Sequence, residues 1–593
     1  MQFVGGVLVR VEVIEGRKAI AELRPHWQSV YQADPEANYF LSFEWQFGTA
    51  ESAGSGGFVL AVRAPHDDSD FVAFLPIRLF TEFETEGYHN ELHLTGNKTS
   101  DYNGFICRPE FDETAIPAFA TILRGMNWRH LSLRYIPTSE KRLRLFLSPF
   151  SAEVVGLKRL SMVEPDGTDN GVCPYADLAE DWDEFLQQSV SAKTRQKIRR
   201  FLRKVEGSDA YRITHTTGET LDRDIEILNR LWERRWGESK GDRLENILRT
   251  TRLLLRSAFH TKTLFMPMLW HGTQPVCVLA LLVDHQKKAY NFLIGGRDLS
   301  FKGLPSGLVL HSYAIRHAIS HGINRYEFLR GNEPYKYAFA TGEVKLRSLL
   351  ISTRSGRNIG EKLDRRCLPY VYRRSKKVYR AGDLPAAKRG FEQILQVLPR
   401  NARVLYLNGV VAARLADYDT ARRDFTKLMG WKPNSLKTWL RLETVRVACL
   451  KPAAEPENIS AGVLEKFPDE PKVPLLLGRA LLKLGLAGHA VTVFEAAVRL
   501  HPGNEALRAA RATAQRSQRA ALAKRQEKRM RRQARIDAAM GKAPAVFGGV
   551  ARSSSNTIAS NAGDLDYFPF LAMRQQRTET ALARIMARSR SAR

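Results

Sequence analysis

Four prolines, Pro399, Pro433, Pro468 and Pro502, recur in the last third of this 593-residue chain at intervals of 34, 35 and 34 residues. A fixed period of that length predicts a stack of helical hairpins, because one such unit cannot bury its own apolar face and has to lean on its neighbour. Other residue types keep the same register: Ala387, Ala421 and Ala490; Phe391, Phe425 and Phe494; and Gly409 with Gly478 one step earlier in the hairpin. Small residues belong where two helices cross closely, a phenylalanine fills the gap between them, and proline opens the turn into the next helix.

From about Cys367 to Asn504 this pattern resembles the tetratricopeptide family, which implies a concave face for a protein partner and no chemistry of its own. The third unit departs from the pattern, with Ser460 where a phenylalanine should fall and a loop-like insert, KPAAEPEN, over Lys451–Asn458. Its hairpin is expected to be distorted. The repeat module is placed at 368–504.

The residues before it are too many for one core, and they alternate strand and helix patterns, which argues for an α/β or α+β region. The alternation is stated twice. A first half, 1–165, reads as strand Val7–Val13, helix Lys18–Gln32, strands Phe58–Arg63 and Phe71–Leu79, helix Glu113–Gly125 and strand His130–Ile136. A second half, 166–356, carries helices near Trp182–Val205 and Asp222–Trp236 and strands Leu264–Trp270, Val276–Val283 and Lys288–Ile294. A glycine-containing loop, Gly295 to Gly307, then leads into an amphipathic helix, Ser306–His321, and a strand, Arg325–Leu329.

Composition closes off several classes. With 44% hydrophobic and 26% charged residues the chain is globular in bulk. Its five cysteines are scattered, without the spacing of a structural zinc site or a disulfide framework, so no metal is expected. The N-terminus lacks the pattern of a secretory signal, and no apolar run reaches the length of a membrane span; cytoplasmic residence is the expectation. The net charge of +28 is concentrated behind the repeats, where twelve Lys or Arg face two acids between Arg508 and Lys542. We therefore read 505–545 as an exposed basic helix, 546–563 as a linker, and 564–593 as a basic amphipathic segment. Contact with a polyanion, either nucleic acid or anionic lipid, and peripheral association with the inner membrane are left open, as is a purely solvating role.

Within the larger region CPYADL (Cys173–Leu178), SAKTRQKIRRFLRKVE (Ser191–Glu206), KGLPSGLVL (Lys302–Leu310) and YEFLRGNEPYKYAFA (Tyr326–Ala340) resemble the GNAT-like acyltransferases associated with bacterial cellulose and exopolysaccharide biosynthesis, relatives of the aminoacyl-transferring Fem proteins. The resemblance implies an α+β fold of two GNAT-like mixed-sheet halves, followed here by the all-α solenoid and the basic helical tail. It also implies an N-acyltransferase that takes acetyl-CoA or another acyl-CoA as co-substrate and an amine-bearing small molecule or glycan precursor as acceptor. Two other readings remain: an aminoacyl-tRNA-dependent, Fem-like transferase, and a scaffold whose acyltransferase region has lost its activity.

Acyl transfer from a thioester needs a grip on the donor's phosphates, a base for the amine proton and a proton donor for the leaving sulfur. A helix start after a glycine-containing loop offers unpaired N–H groups to an anion, which nominates Gly303, Ser306 and Gly307, with Arg297 and Lys302 adding charge. Glu333 is the preferred base and Glu327 its rival, although either carboxylate would also serve as an ion-pair partner of Lys336 or Arg330. Tyr335 is the expected proton donor, and Lys336 a ligand for a substrate carboxylate or a donor phosphate. The loop Thr99–Asp101–Tyr102–Asn103 reads either as an acceptor-side segment or as a plain turn. The basic helix Lys193–Lys204 reads as a solvated surface or as a channel wall for an anionic carrier.

Overall fold

The computed structural model describes residues 2–4, 7–48, 57–64, 70–97, 99–431, 436–449, 469–483 and 485–539. The KPAAEPEN insert, Ser460, the linker 546–563, the segment 564–593 and the end of 505–545 lie outside the described residues. The chain divides into two compact units, one of Met1–Arg235 with Thr250–Ala520 and one of Trp236–Arg249 with Ala521–Arg593. The smaller unit holds the turn Gly241–Arg243 and the distal part of the helix Glu505–Ala539, whose described side chains beyond residue 520 are exposed.

The larger unit contains two mixed sheets and a run of helical hairpins, the α+β architecture expected. The first sheet has nine strands, in the spatial order Gln2–Val4, Val7–Glu15, Gly57–Arg63, Phe71–Glu84, Gly87–Leu94, His130–Ile136, Arg347–Thr353 and Val155–Arg159, with Ile106–Cys107 beside Phe71–Glu84. The second has eight, in the order Tyr211–His215, Pro267–His271, Gln274–Asp284, Ala289–Arg297, Arg325–Glu327, Val172–Asp177 and Gly342–Lys345, with Leu264–Phe265 at its side. Both sheets are built around one parallel pair bridged by a helix: Gly87–Leu94 with His130–Ile136 across Asp112–Arg124, and Ala289–Arg297 with Arg325–Glu327 across Ser306–Ser320. Burying a crossover helix on a sheet is what forces these two strands to run in the same direction.

The boundary between the halves is crossed by the chain itself. Segment 166–356 does not end on its own sheet: Arg347–Thr353 pairs with His130–Ile136 and Val155–Arg159 of the first sheet. Leu349 and Ile351 supply the reason, since both are almost fully buried in the first core. Polar ties reinforce the junction. Tyr31 donates to Asp284, Tyr39 and Thr263 share a hydrogen bond of 2.7 Å, and the Lys287 ammonium donates to the carbonyls of Gln32 and Asp34 at 3.1 and 2.7 Å.

The helices predicted over Lys18–Gln32 and Trp182–Val205 are each broken in two. The second break falls at Ser191, whose hydroxyl caps Ala192–Glu206 by accepting from the Thr194 N–H. Behind the sheets come Leu368–Ala381, Leu384–Val397, Ala402–Arg414, Tyr418–Trp431, Leu436–Cys449, Lys472–Lys483 and Ala487–Leu500. The repeat register has a direct packing cause. A Cβ on Gly409 would sit 2.8 Å from the Phe425 ring, and one on Gly478 2.3 Å from the Phe494 ring, so only glycine lets these helices close over the phenylalanines. The first hairpin is seated on the first sheet, where the Gln393 amide both accepts from the Tyr88 N–H and donates to its carbonyl, each at 2.8 Å.

Candidate active site

The strand Ala289–Arg297 and its parallel neighbour begin together and then separate. Pairing covers Ala289↔Arg325, Tyr290↔Tyr326 and Asn291↔Glu327, after which the longer strand continues for six residues with no ladder partner on that side among the described residues. Its register against Gln274–Asp284 shifts at the same place, with Leu281 opposite Phe292 and Ala280 opposite Ile294, so Leu293 is an extra residue. Such a bulge bends a strand. The result is a wedge whose one wall is a bare backbone edge. Gly296 brings the helix Leu221–Lys240 directly onto the other face of this strand, since a Cβ there would lie 2.7 Å from Leu231 and 3.0 Å from the Leu228 carbonyl. The loop predicted from Gly295 thus starts only after Arg297.

The helix Ser306–Ser320 opens at the wide end of the wedge. No side chain caps its first turn and no acid lies in it, so its unpaired N–H groups and positive dipole end are left for a ligand. A Cβ on Gly307 would meet nothing within 4 Å, which marks open space in front of that turn. Gly303 plays a different part, with the Phe301 ring lying 2.6 Å from where its Cβ would be. Ser306 is buried, with its side chain beside the Cys277 thiol, so its amide is the group it offers. Arg297 and Lys302 are exposed, the latter donating to the Leu299 carbonyl at 3.2 Å.

On the narrow side, the chain leaves Arg325–Glu327 through a left-handed turn, with φ of 57° at Leu329 and 103° at Gly331. Lys336 holds this turn. Its side chain is 2% exposed, and its ammonium donates to the carbonyls of Leu329, Arg330 and Gly331 at 3.3, 2.6 and 3.0 Å and pairs with Glu333 at 2.9 Å. The expectation that Lys336 grips a substrate carboxylate or a phosphate is corrected accordingly: every donor it has is committed indoors. Glu333 is half-buried and folds back over Gly331, where a Cβ would lie 2.4 Å from its Oε2.

Tyr335 emerges from the same turn, 42% exposed, with its ring 5.8 Å from that of His311 in the second turn of the helix. Burial pushes its phenol above the ordinary range, the Glu333 charge adds to this, and Arg235 opposes it. Arg235 in turn is held below its ordinary value by burial and by the nearby Arg297. Arg235, Arg297, Glu333 and Tyr335 are therefore near enough to feel one another's charge, and Tyr335 lies against the helix through His311. His311 beneath them is fully enclosed among Phe292, Phe328 and Phe339 and hydrogen-bonded to the Tyr326 hydroxyl at 2.9 Å.

Glu327 is elsewhere. It is 6% exposed, its Oε2 accepts from the Tyr102 hydroxyl at 2.8 Å and its Oε1 from Arg325 at 2.6 Å. Burial raises its pKa, with Arg325 and Tyr102 opposing. A carboxylate so enclosed cannot reach an incoming amine, and its role is to tie the two halves together. The loop around Tyr102 shares that role through Asp101, which pairs with Arg330 at 2.6 Å. Neither Arg235 nor the enclosed His311 was among the residues nominated from the sequence, because contacts across the fold place both beside Tyr335. The apolar helix pattern around His311 was the one available signal.

The first half carries the same wedge in a form that excludes an anion. Its parallel pair also spans three residues, Glu91↔His130 to His93↔Ser132, and the gap beyond is an apolar cavity lined by Leu94, Phe105, Leu133, Ile136, Leu143 and Phe146. Its helix starts with Asp112 and Glu113, and Asp112 lies 2.9 Å from a buried Arg142 that also binds Asp34 at 2.7 Å. That mouth is already neutralised.

Residues 192–337 match the family described as an acetyltransferase (GNAT) domain, a stretch that includes the wedge, the helix mouth and Tyr335. No curated protein matches the chain. Among solved structures, FemX shares 11% identity over 57% of this chain and 96% of its own, with a TM-score of 0.35. A tandem GNAT protein from the clavulanic acid biosynthesis pathway shares 10% over 58% of this chain and 98% of its own, with a TM-score of 0.34. A thermophilic TPR protein from Thermus thermophilus shares 20% over 26% of this chain and 82% of its own, with a TM-score of 0.19. Among the described residues no helix is long and apolar enough to cross a membrane.

Proposed function

We propose that the chain is an acyl-CoA-dependent N-acyltransferase whose donor enters the wedge of the second half. The observation that carries this reading is the acid-free, uncapped mouth of Ser306–Ser320, facing open space at Gly307, with Arg297 at the end of the strand that leads into its loop. Diphosphate would sit on the amides of that first turn, and the bare edge of Phe292–Arg297 suits the amide-bearing arm of coenzyme A, which can add to a sheet edge as an extended strand does. These residues fit the group in charge and shape.

The chemistry follows from Glu333 and Tyr335. The acceptor amine attacks the thioester carbonyl, a C–N bond forms and the C–S bond breaks, and the electron pair leaves on sulfur. Glu333 takes the amine proton directly or through one water. Tyr335 stays protonated because burial and Glu333 oppose its ionisation, and it hydrogen-bonds the departing thiolate. Lys336 positions both by holding the turn. The acceptor class rests on the sequence resemblance alone, which points to an amine on an envelope-polysaccharide precursor. The repeats would recruit a protein partner, and the basic helix Glu505–Ala539 would draw a cytoplasmic enzyme toward an anionic surface such as the inner membrane.

Turnover of acetyl-CoA with a panel of amines, followed by free thiol release, tests the proposal. Tyr335→Phe is expected to lower kcat by roughly 10²-fold with donor affinity unchanged. Thiol release by the wild type that no amine accelerates would count against it, and transfer from aminoacyl-tRNA alone would move the chain to the Fem-like reading.

A further inference from the structure

Away from the donor wedge, two histidines and a glutamate converge on the outer face of the first sheet. Side chains alternate along Gly87–Leu94, so Tyr88, Leu92 and Leu94 enter the core while His89, Glu91 and His93 point the other way. The parallel register sets His130 beside Glu91. The His89 Nε2 lies 3.4 Å from the Glu91 Oε1, and one ligand atom from each of His89, Glu91 and His130 falls within 4.8 Å of the others. No other group of three His, Cys, Asp or Glu residues does so among the described residues.

The surroundings are those of a ligand set. His93 Nε2 lies 3.0 Å from the second oxygen of Glu91, and His130 Nδ1 is 2.8 Å from the Ser352 hydroxyl on the neighbouring strand, which leaves its Nε2 for a metal. Partners of this kind orient ligands and fix tautomers. Two imidazoles and a carboxylate suit Zn²⁺ and its first-row neighbours and disfavour Ca²⁺ and Mg²⁺, which want oxygen alone. Bonds of about 2.0–2.2 Å separate tetrahedral donor atoms by roughly 3.4 Å, so the His89–Glu91 pair is already spaced for binding and no pair has to close by more than about 1.4 Å.

The geometry points to a divalent transition-metal site of the Zn²⁺ class, bound by His89, Glu91 and His130, that clamps the central parallel strands of the first sheet. The same strand seats the first hairpin through Tyr88 and Gln393 and donates from the Asn90 N–H to the Asn358 Oδ1, so a metal here stiffens the shelf on which the repeats rest. Loading the tag-free, chelator-treated full chain with Co²⁺ and measuring metal content and visible absorption tests this. One equivalent per chain is expected, without thiolate charge-transfer bands, displaced by Zn²⁺ and not by Mg²⁺. His130→Gln should weaken binding at least about tenfold, and His317→Gln, on the helix Ser306–Ser320 where His317 stacks on His321, should leave it unchanged. Absence of a stoichiometric cobalt spectrum in the folded wild type would show a hydrogen-bonded His–Glu cluster and nothing more. Equal affinity in His130→Gln would overturn the assignment too, and if that variant does not fold, the wild-type stoichiometry and the His89→Gln titration decide.

Discussion

Replacing Lys336 with methionine separates two roles that one lysine could have in such a turn. Methionine keeps most of the aliphatic stem, so packing is largely retained and the ammonium alone is lost. Three carbonyls, at 2.6, 3.0 and 3.3 Å, and the Glu333 carboxylate at 2.9 Å then lose their partner. Each charge-assisted hydrogen bond contributes about 1.5–3 kcal/mol, but the set is not additive, and removing one member of a buried pair typically costs about 3–5 kcal/mol. The turn has no slack to absorb this, because Leu329 sits at φ 57°, a conformation costing a leucine roughly 1–2 kcal/mol. Native-state hydrogen exchange over residues 326–340 is the assay. Amides of this segment should exchange faster by about two to three and a half orders of magnitude, the equivalent of about 3–5 kcal/mol at about 1.4 kcal/mol per decade. Exchange within tenfold of wild type, with a loss confined to substrate affinity, would refute the reasoning and make Lys336 a surface ligand.

His311 has its pKa pushed down to about 3 by burial, with the Lys336 charge adding to it. Between that value and its ordinary one near 6.5 the unfolded chain binds the extra proton, so stability should fall as pH drops through this window, by up to about 1.4 kcal/mol per pH unit; pH-dependent urea unfolding of His311→Gln should show that share of the slope removed. Gly409→Leu forces atoms into the Phe425 ring and should destabilise the second hairpin by about 1–3 kcal/mol, read from proteolysis between the repeats; no change would mean the register glycines are incidental.

What was legible in the sequence was local. The alanine and phenylalanine spacing announced hairpins because each type recurs at a fixed place within one unit, and Ala387, Ala421, Ala490 and the three register phenylalanines are all fully buried. The strand expected over Arg325–Leu329 stops at Glu327, and the left-handed turn that carries Leu329 into a different core from Tyr326 and Phe328 has no local signature. Longer-range arrangements left no local mark. Arg347–Thr353 looks like any strand of the second half, and only its partners across the junction put it in the first sheet. Lys336 reads as a surface lysine until the turn folds around it. His89, Glu91 and His130 are brought together by a parallel pairing that no metal-ligand spacing along the chain anticipates.

The central claim is that backbone amides at one helix mouth hold an anionic acyl carrier. Gly307→Glu tests it with little collateral change, because a Cβ there meets nothing within 4 Å and the new carboxylate would stand where the phosphates go. Calorimetric titration with acetyl-CoA should give saturable binding to the wild type and at least about a tenfold weaker affinity for Gly307→Glu, a difference of about 1.4 kcal/mol or more. Equal affinity in both proteins, or no binding to either, would contradict the account.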